Sequence, residues 1–180
     1  MRVIKTALPD LLLIESKVFT DDRGHFFESW NRRTFESLGI AADFVQDNHS
    51  RSTRNVLRGL HYQIQHPQGK LVRVVAGEAF DVAVDLRKSS PTFGKWAGFT
   101  LSAANMQIAW IPPGFAHGFL TLSESAEFLY KTTDYWYPGH ERTLHWNDPT
   151  LRIAWPLTSK PFLAPKDQAG MGFRDADTYA

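Results

Sequence analysis

An arginine, a histidine and a lysine stand close together at Arg58, His61 and Lys70, within Val56-Leu57-Arg58-Gly59-Leu60-His61-Tyr62-Gln63 and the following Gln68-Gly69-Lys70. A neutral histidine can abstract a proton near physiological pH, because its unperturbed pKa is about 6.5. A lysine is a positive charge that can stabilise an oxyanion formed beside it. Together they suit removal of a proton next to a carbonyl group. A histidine on a strand can equally be a hydrogen-bonded structural residue, and these residue types alone leave both readings open.

The elements that would hold these side chains follow from hydrophobic period. Val72 and Val74, then Phe80, Val82, Val84 and Leu86, recur at every second position, the period of a strand with one buried face. Ala76-Gly77-Glu78 between the two runs reads as a hairpin turn, with Gly77 free to take positive φ. Sheet holds reactive side chains in more fixed geometry than loop does. Arg58 and His61 have opposite strand parity, so they share a face only if Gly59 makes a bulge that re-aims one of them.

Further strands are expected in residues 10–20, in 25–30 after the turn Asp21-Asp22-Arg23-Gly24, and in 44–49. Others are expected in 96–101, 106–111, 115–120 and 126–133, with short ones in 144–146 and 151–155. Pro112-Pro113-Gly114 makes a tight turn before Phe115. Asn31 to Leu38 is the best helix, capped by Asn31 and ended by Gly39. Beyond Pro156 the prolines 161 and 165 predict a tail wrapping the body with little regular structure. About ten short strands between Gly/Pro turns mean an all-β sandwich or barrel. No repeat or linker divides the chain, so one domain over 1–180 is expected.

Composition narrows the function. Aromatic residues make up 13% of the chain and six are tryptophan, which suits a β-rich fold around an aromatic-lined cavity. Lys and Arg number 20 against 19 Asp and Glu, with no basic tract, which argues against nucleic acid as partner. The absence of cysteine excludes disulfides, zinc-thiolate sites and cysteine nucleophiles. Near the N-terminus the apolar run Leu11–Ile14 is too short for a signal-peptide core or a membrane span, so a soluble cytoplasmic protein is expected.

Pro113-Gly114-Phe115-Ala116-His117 resembles the second motif of the cupin jelly rolls, whose histidine often binds a metal together with a first motif. Here the first motif departs: His61 is followed by Tyr62 and Gln63, and Lys70 comes next. A cation there would repel a divalent ion, by about 4 kcal/mol per unit-charge pair at 4 Å and an effective dielectric near 20. The chain therefore looks like a metal-free cupin. Closer matches follow in Phe44–Ser50, Val56–Gln63, Gln68–Arg73, Glu78–Asp85, Ser89–Gly94, Ile111–Phe119 and Glu127–Thr133. In order and spacing these resemble the dTDP-4-dehydrorhamnose 3,5-epimerase family over almost the whole length.

That resemblance implies a homodimeric β jelly roll that needs no cofactor and inverts carbons 3 and 5 of dTDP-4-dehydro-6-deoxy-glucose. Both carbons flank the 4-keto group, whose enolate acidifies their protons. By resemblance His61 is the base with Asp167 as its partner, Lys70 faces the enolate oxygen, and Tyr130 returns the proton from the opposite face. Arg23, Glu28, Gln46, Asp47, Asn48, Arg58, His117, Glu141 and Lys166 match positions that bind the nucleotide sugar. Arginine suits a diphosphate through its planar fork. Glu28 and Glu141 could instead serve surface ion pairs. Trp136 matches a position that stacks on thymine, although an aromatic in such a run can also be core. Within the family, a related 3-epimerase or 5-epimerase acting on another dTDP-4-keto-6-deoxy sugar stays open, and two other classes compete. One is a metal-dependent cupin enzyme using His61, His66, His117 and a carboxylate; the other is a non-catalytic sugar-binding jelly roll.

Overall fold

Apolar residues at every second position give a strand a buried face, and here two sheets pack face to face, with the central strands Glu78–Asp85 and Phe115–Thr121 buried on both faces almost throughout. The computed structural model describes residues 1–180. Its strands are Arg2–Lys5 (β1), Leu12–Glu15 (β2), Val18–Asp21 (β3), Gly24–Phe27 (β4), Gln46–Thr53 (β5), Leu57–Gln63 (β6) and Lys70–Ala76 (β7). They continue with Glu78–Asp85 (β8), Trp96–Ser102 (β9), Ile108–Ile111 (β10), Phe115–Thr121 (β11), Ser125–Thr132 (β12) and Glu141–Thr143 (β13). Short helices occupy Arg32–Ser37 (α1) and Pro165–Gln168 (α2).

Strands β1-β2-β10-β7-β12-β5 form a six-stranded sheet and β13-β6-β11-β8-β9 a five-stranded one, while β3 and β4 make a separate hairpin. Neighbours within each sheet are antiparallel. This is the all-β, cupin-type jelly roll expected. Between the sheets lies a core that includes Val72, Val74, Ala83, Leu101, Phe119 and Phe128. Burying each large apolar side chain of this kind contributes roughly 1.5–3 kcal/mol.

The segment at Gly77 is not a hairpin. β7 lies in the six-stranded sheet and β8 in the five-stranded one, so the chain turns a corner between layers there. Gly77 has φ 73°, and a Cβ would collide with the Ser125 carbonyl, so the corner fits only glycine. Two alternating runs in succession do not reveal whether they pair with each other or with strands elsewhere.

Leu144–Trp146 and Leu151–Trp155 are not strands either. Leu144 and Leu151 are buried, and Ile153 and Trp155 half-buried, against the outer face of the five-stranded sheet, together with Phe173 and Tyr179. Their apolar side chains serve as a cover rather than as rungs of a ladder, and Arg152 has positive φ. On the other outer face, α1 packs Phe35 against Ile14, Leu71, Ile108 and Trp110. Asn31 caps α1 by accepting from the Thr34 N–H, as its residue type predicts. Strand β1 was not foreseen.

Candidate active site

At one end of the barrel the inward positions change from apolar to polar. β5 sends in Gln46, Asn48 and Ser50, β7 sends in Lys70, and β12 sends in Tyr130, all on one face because they share parity and register. From the facing sheet come Arg58, His61 and His117. With Trp136, Glu141, Lys166 and Asp167 these residues line a cavity of about 390 Å³, a size suited to a small organic ligand.

Arg58 and His61 both reach this cavity because β6 is bulged. Opposite β11, the register shifts so that Arg58 faces Phe119 and His61 faces His117. Gly59 takes φ 114°, and a Cβ on it would come within 2.6 Å of Gly118 Cα and the His117 carbonyl oxygen. Glycine at this point therefore lets the two strands close while turning Arg58 inward.

The His61 ring meets a carboxylate delivered from far along the chain. Its Nε2 lies 2.5 Å from Asp167 Oδ1, and Asp167 is buried at the start of the tail helix α2. Burial holds His61 below the usual histidine range, against the hydrogen bond and charge of Asp167, while Lys166 and Lys70 add to the depression. The ring is thus neutral at neutral pH and able to accept a proton. Burial also pushes Lys70 down to about 8, against the attraction of Glu141 and Asp81. Burial foremost, with Glu141 adding, raises the Tyr130 phenol, which keeps its proton at neutral pH. A proton acceptor on the five-stranded sheet therefore faces a proton donor on the six-stranded sheet, with a buried cation between the layers.

The remaining side chains are tied to this frame. Arg58 Nε donates to Ser52 Oγ at 2.9 Å. Gln46 Nε2 donates to Asn48 Oδ1, and Gln46 Oε1 accepts from the Trp136 backbone N–H. Lys166 Nζ pairs with Glu141 at 3.0 Å. Trp136 is 56% exposed at the cavity rim and belongs to no apolar cluster, so it is not core.

Three expected binding residues lie elsewhere. Arg23 sits at the tip of the β3–β4 hairpin, its side chain 90% exposed and paired with Asp21. Glu28 is exposed beside α1, accepting from Asn31 and Thr34. Asp47 has the opposite parity to Gln46 and Asn48, so it projects from the outer face and pairs with Lys131 at 2.6 Å. Within one chain none of the three lines the cavity. His66, offered for a metal-dependent reading, stacks on Tyr137 and pairs with Asp134. No group of three or more His, Asp or Glu side chains converges in a way that could hold a metal ion.

The structure adds residues that the motifs did not single out. Ser50, Gln68, Phe119, Phe128 and Ala164 also line the cavity, and Asp81 lies behind His117. Parity could have found Ser50, which follows Gln46 and Asn48 on the same face. Asp81 carried a weaker signal, an acidic residue in an otherwise apolar strand.

A cupin-type jelly roll with a polar, ionisable pocket between its two sheets is the class that this fold and cavity define. A family model described as dTDP-4-dehydrorhamnose 3,5-epimerase matches residues 5–175. A dTDP-4-dehydrorhamnose 3,5-epimerase from Pseudomonas aeruginosa is 62% identical over 180 residues, covering 99% of each chain. Among solved structures, a dTDP-6-deoxy-D-glucose-3,5-epimerase from Legionella pneumophila, in complex with dTDP-4-keto-L-rhamnose, superposes with a TM-score of 0.94 at 52% identity, covering 97% of this chain and 93% of that one. A 3'-monoepimerase from Streptomyces bikiniensis, in complex with dTDP-quinovose, gives 0.88 at 29% identity over 94% and 87%. The chain belongs to the dTDP-4-dehydrorhamnose 3,5-epimerase family.

Proposed function

We propose that this protein inverts carbons 3 and 5 of dTDP-4-dehydro-6-deoxy-D-glucose to give dTDP-4-dehydro-L-rhamnose, a step of dTDP-L-rhamnose biosynthesis. The observation that carries this reading is the placement of His61 and Tyr130 on facing sheets of one cavity, with Lys70 buried beside them. In the reaction, neutral His61 takes the proton from the carbon next to the ketone and becomes imidazolium, stabilised by Asp167. The C–H electrons move into the ring and the 4-keto oxygen becomes an enolate, held by the Lys70 ammonium. Tyr130 then gives its phenolic proton to the opposite face of the same carbon, and the configuration inverts. Proton exchange with solvent restores His61 and Tyr130 before the second carbon reacts.

Gln46, Asn48, Arg58, His117, Glu141 and Lys166 would hold the nucleotide sugar, with Trp136 stacked on the thymine at the rim. Arg23, Glu28 and Asp47 do not reach the cavity of their own chain. A homodimer accounts for the first two: the β3–β4 hairpin projects with Phe19 55% and Phe26 70% exposed, surface that a second copy would cover. In that arrangement the hairpin would bring Arg23 and Glu28 to the partner's cavity. Asp47 stays on the outer face, paired with Lys131. The chain acts as one domain over 1–180, a reading supported by sheets that combine strands from both ends of the sequence. We assign it to the cytoplasm, where nucleotide sugars are made; no helix is long and apolar enough to cross a membrane.

Incubation with dTDP-4-dehydro-6-deoxy-D-glucose in heavy water tests the activity. Deuterium entering at both carbons 3 and 5, with inverted product, is the expected result. Deuterium at carbon 3 alone would instead place the enzyme with the monoepimerases.

A further inference from the structure

Asp81 is one of the few charged residues with no exposed surface, and the proton transfers of His61, Lys70 and Tyr130 leave it without a task. It points into the barrel from β8, across from Phe119 of β11. Its Oδ2 lies 2.8 Å from His117 Nε2, while its Oδ1 is buried with no hydrogen-bond partner. A buried oxygen left unpaired opposes folding, so natural structures keep few of them without a reason. The pair stands beside the cavity, since His117 lines it, and no protein group pairs with the other ring nitrogen, Nδ1.

We propose that Asp81 is a positioning residue of the epimerase reaction, orienting His117 through Nε2 and supplying the buried negative charge that balances Lys70. The proposal rests on the reading of the cavity as the epimerase site. By accepting the Nε2–H bond, the carboxylate fixes the tautomer of His117 and turns Nδ1 to the ligand as an acceptor. Its second action is electrostatic. Lys70 shares the cavity with His61 and Arg58 from β6, His117 from β11, Tyr130 from β12, Glu141 from β13 and Lys166 and Asp167 from α2, and Asp81 from β8 lies behind His117. Of these, Glu141, Asp81 and Lys166 act on its charge. Of the two carboxylates among those that act on Lys70, Glu141 also pairs with Lys166, and Asp81 has no competing cation. Asp81 thus favours the ammonium form of Lys70, the form that an enolate needs. The fold places two Asp–His pairs at the cavity, one for proton removal and one for ligand orientation.

The test compares Asp81→Asn, His117→Asn and the double variant in the full-length protein. Thermal melts and circular dichroism verify folding, since dTDP binding itself depends on His117. We expect kcat/KM of folded Asp81→Asn to fall roughly tenfold to a hundredfold, as when the partner that orients a histidine is lost. The His117 ring nitrogen resonances should shift, and the alkaline limb of the kcat/KM profile should move to lower pH. The double variant should lose less than the product of the two single losses, because the residues act as a unit. Wild-type ring signals and an unmoved pH profile in folded Asp81→Asn would overturn the proposal, whatever happens to stability. If Asp81→Asn does not fold, the smaller Asp81→Ser takes its place, and failure of both assigns Asp81 to the core and overturns the proposal as well. The two readings fail separately. Unimpaired His117→Asn removes His117 from the epimerase site, whereas impaired His117→Asn beside unimpaired Asp81→Asn rejects Asp81 alone.

Discussion

Asp81 and Asp85 lie on the same strand and the same face, and both are fully buried, yet they are satisfied in opposite ways. At the closed end, Asp85 accepts from the Arg87 backbone N–H, Nε and Nη2 and from the hydroxyls of Ser90 and Thr92, at 2.6–3.0 Å. Although burial works against it, those bonds pull its carboxyl down to about 2. At the cavity end, Asp81 has one partner, His117, and one bare oxygen. A carboxylate saturated by its own loop stabilises the fold and is unavailable to anything else. One left half-paired beside an open pocket retains electrostatic influence on that pocket. The same contrast extends to the strand ends as a whole: one end is closed by side chains, and the other is lined with ionisable groups that face an open pocket.

The largest effects should come from the cavity end. His61→Asn should abolish both epimerisation and deuterium exchange at carbons 3 and 5, a loss of roughly 10⁴-fold or more, the scale of losing a triad histidine. Tyr130→Phe should instead keep exchange while losing inversion, because the enolate can still form and be reprotonated by His61. The exchange-to-inversion ratio, followed by NMR in each folded variant, measures the difference. Equal loss of both in Tyr130→Phe would overturn the two-face assignment.

Lys70→Ala should fold and bind dTDP but lose roughly 10²–10³-fold in kcat, the usual scale for one oxyanion contact. In the wild type, the ammonium of Lys70 prevails below about 8 and is lost above it, so kcat should decline as pH rises through that value. A kcat independent of pH between 7 and 9, with stability unchanged, would break the link between Lys70 charge and turnover.

The closed end should answer in stability instead. Asp85→Asn should lose about 2–3 kcal/mol at neutral pH, estimated from a pKa depressed by nearly two units, with kcat unchanged. The wild-type contribution is fully present above pH 4 and disappears as pH falls toward 2, so the variant's denaturation midpoint should depend less on pH in that window. Urea melts at several pH values would show it. Reduced turnover in a variant of wild-type stability would erase the contrast between the two aspartates.

The smallest effect belongs to the rim. Trp136→Ala should weaken dTDP binding about tenfold, within the range of base–aromatic stacking, with kcat less affected. Calorimetric titration with dTDP measures this directly, and unchanged affinity would remove the stacking role.

Much of this molecule was legible before any fold was known. Alternating apolar positions in β7 and β8 identified strands, although β8 proves to be buried on both faces; Asn31 identified the start of α1, and the missing cysteines removed whole classes of chemistry. The bulge that brings Arg58 and His61 to one face was readable from parity and a single glycine. Those features are local: a side chain's face follows from its neighbours' period, and a cap from adjacent atoms. What only the tertiary structure decided is which local pieces meet. Gly77 turns a corner rather than closing a hairpin, because β7 pairs with β10 and β12, both far along the chain. The apolar residues of 144–155 cover a sheet instead of joining one. His61 finds Asp167 across 106 positions, and Asp81 finds His117 on a neighbouring strand. Such pairings depend on the free energy of packing two sheets and a tail together, a sum over the whole chain that no short window of sequence contains.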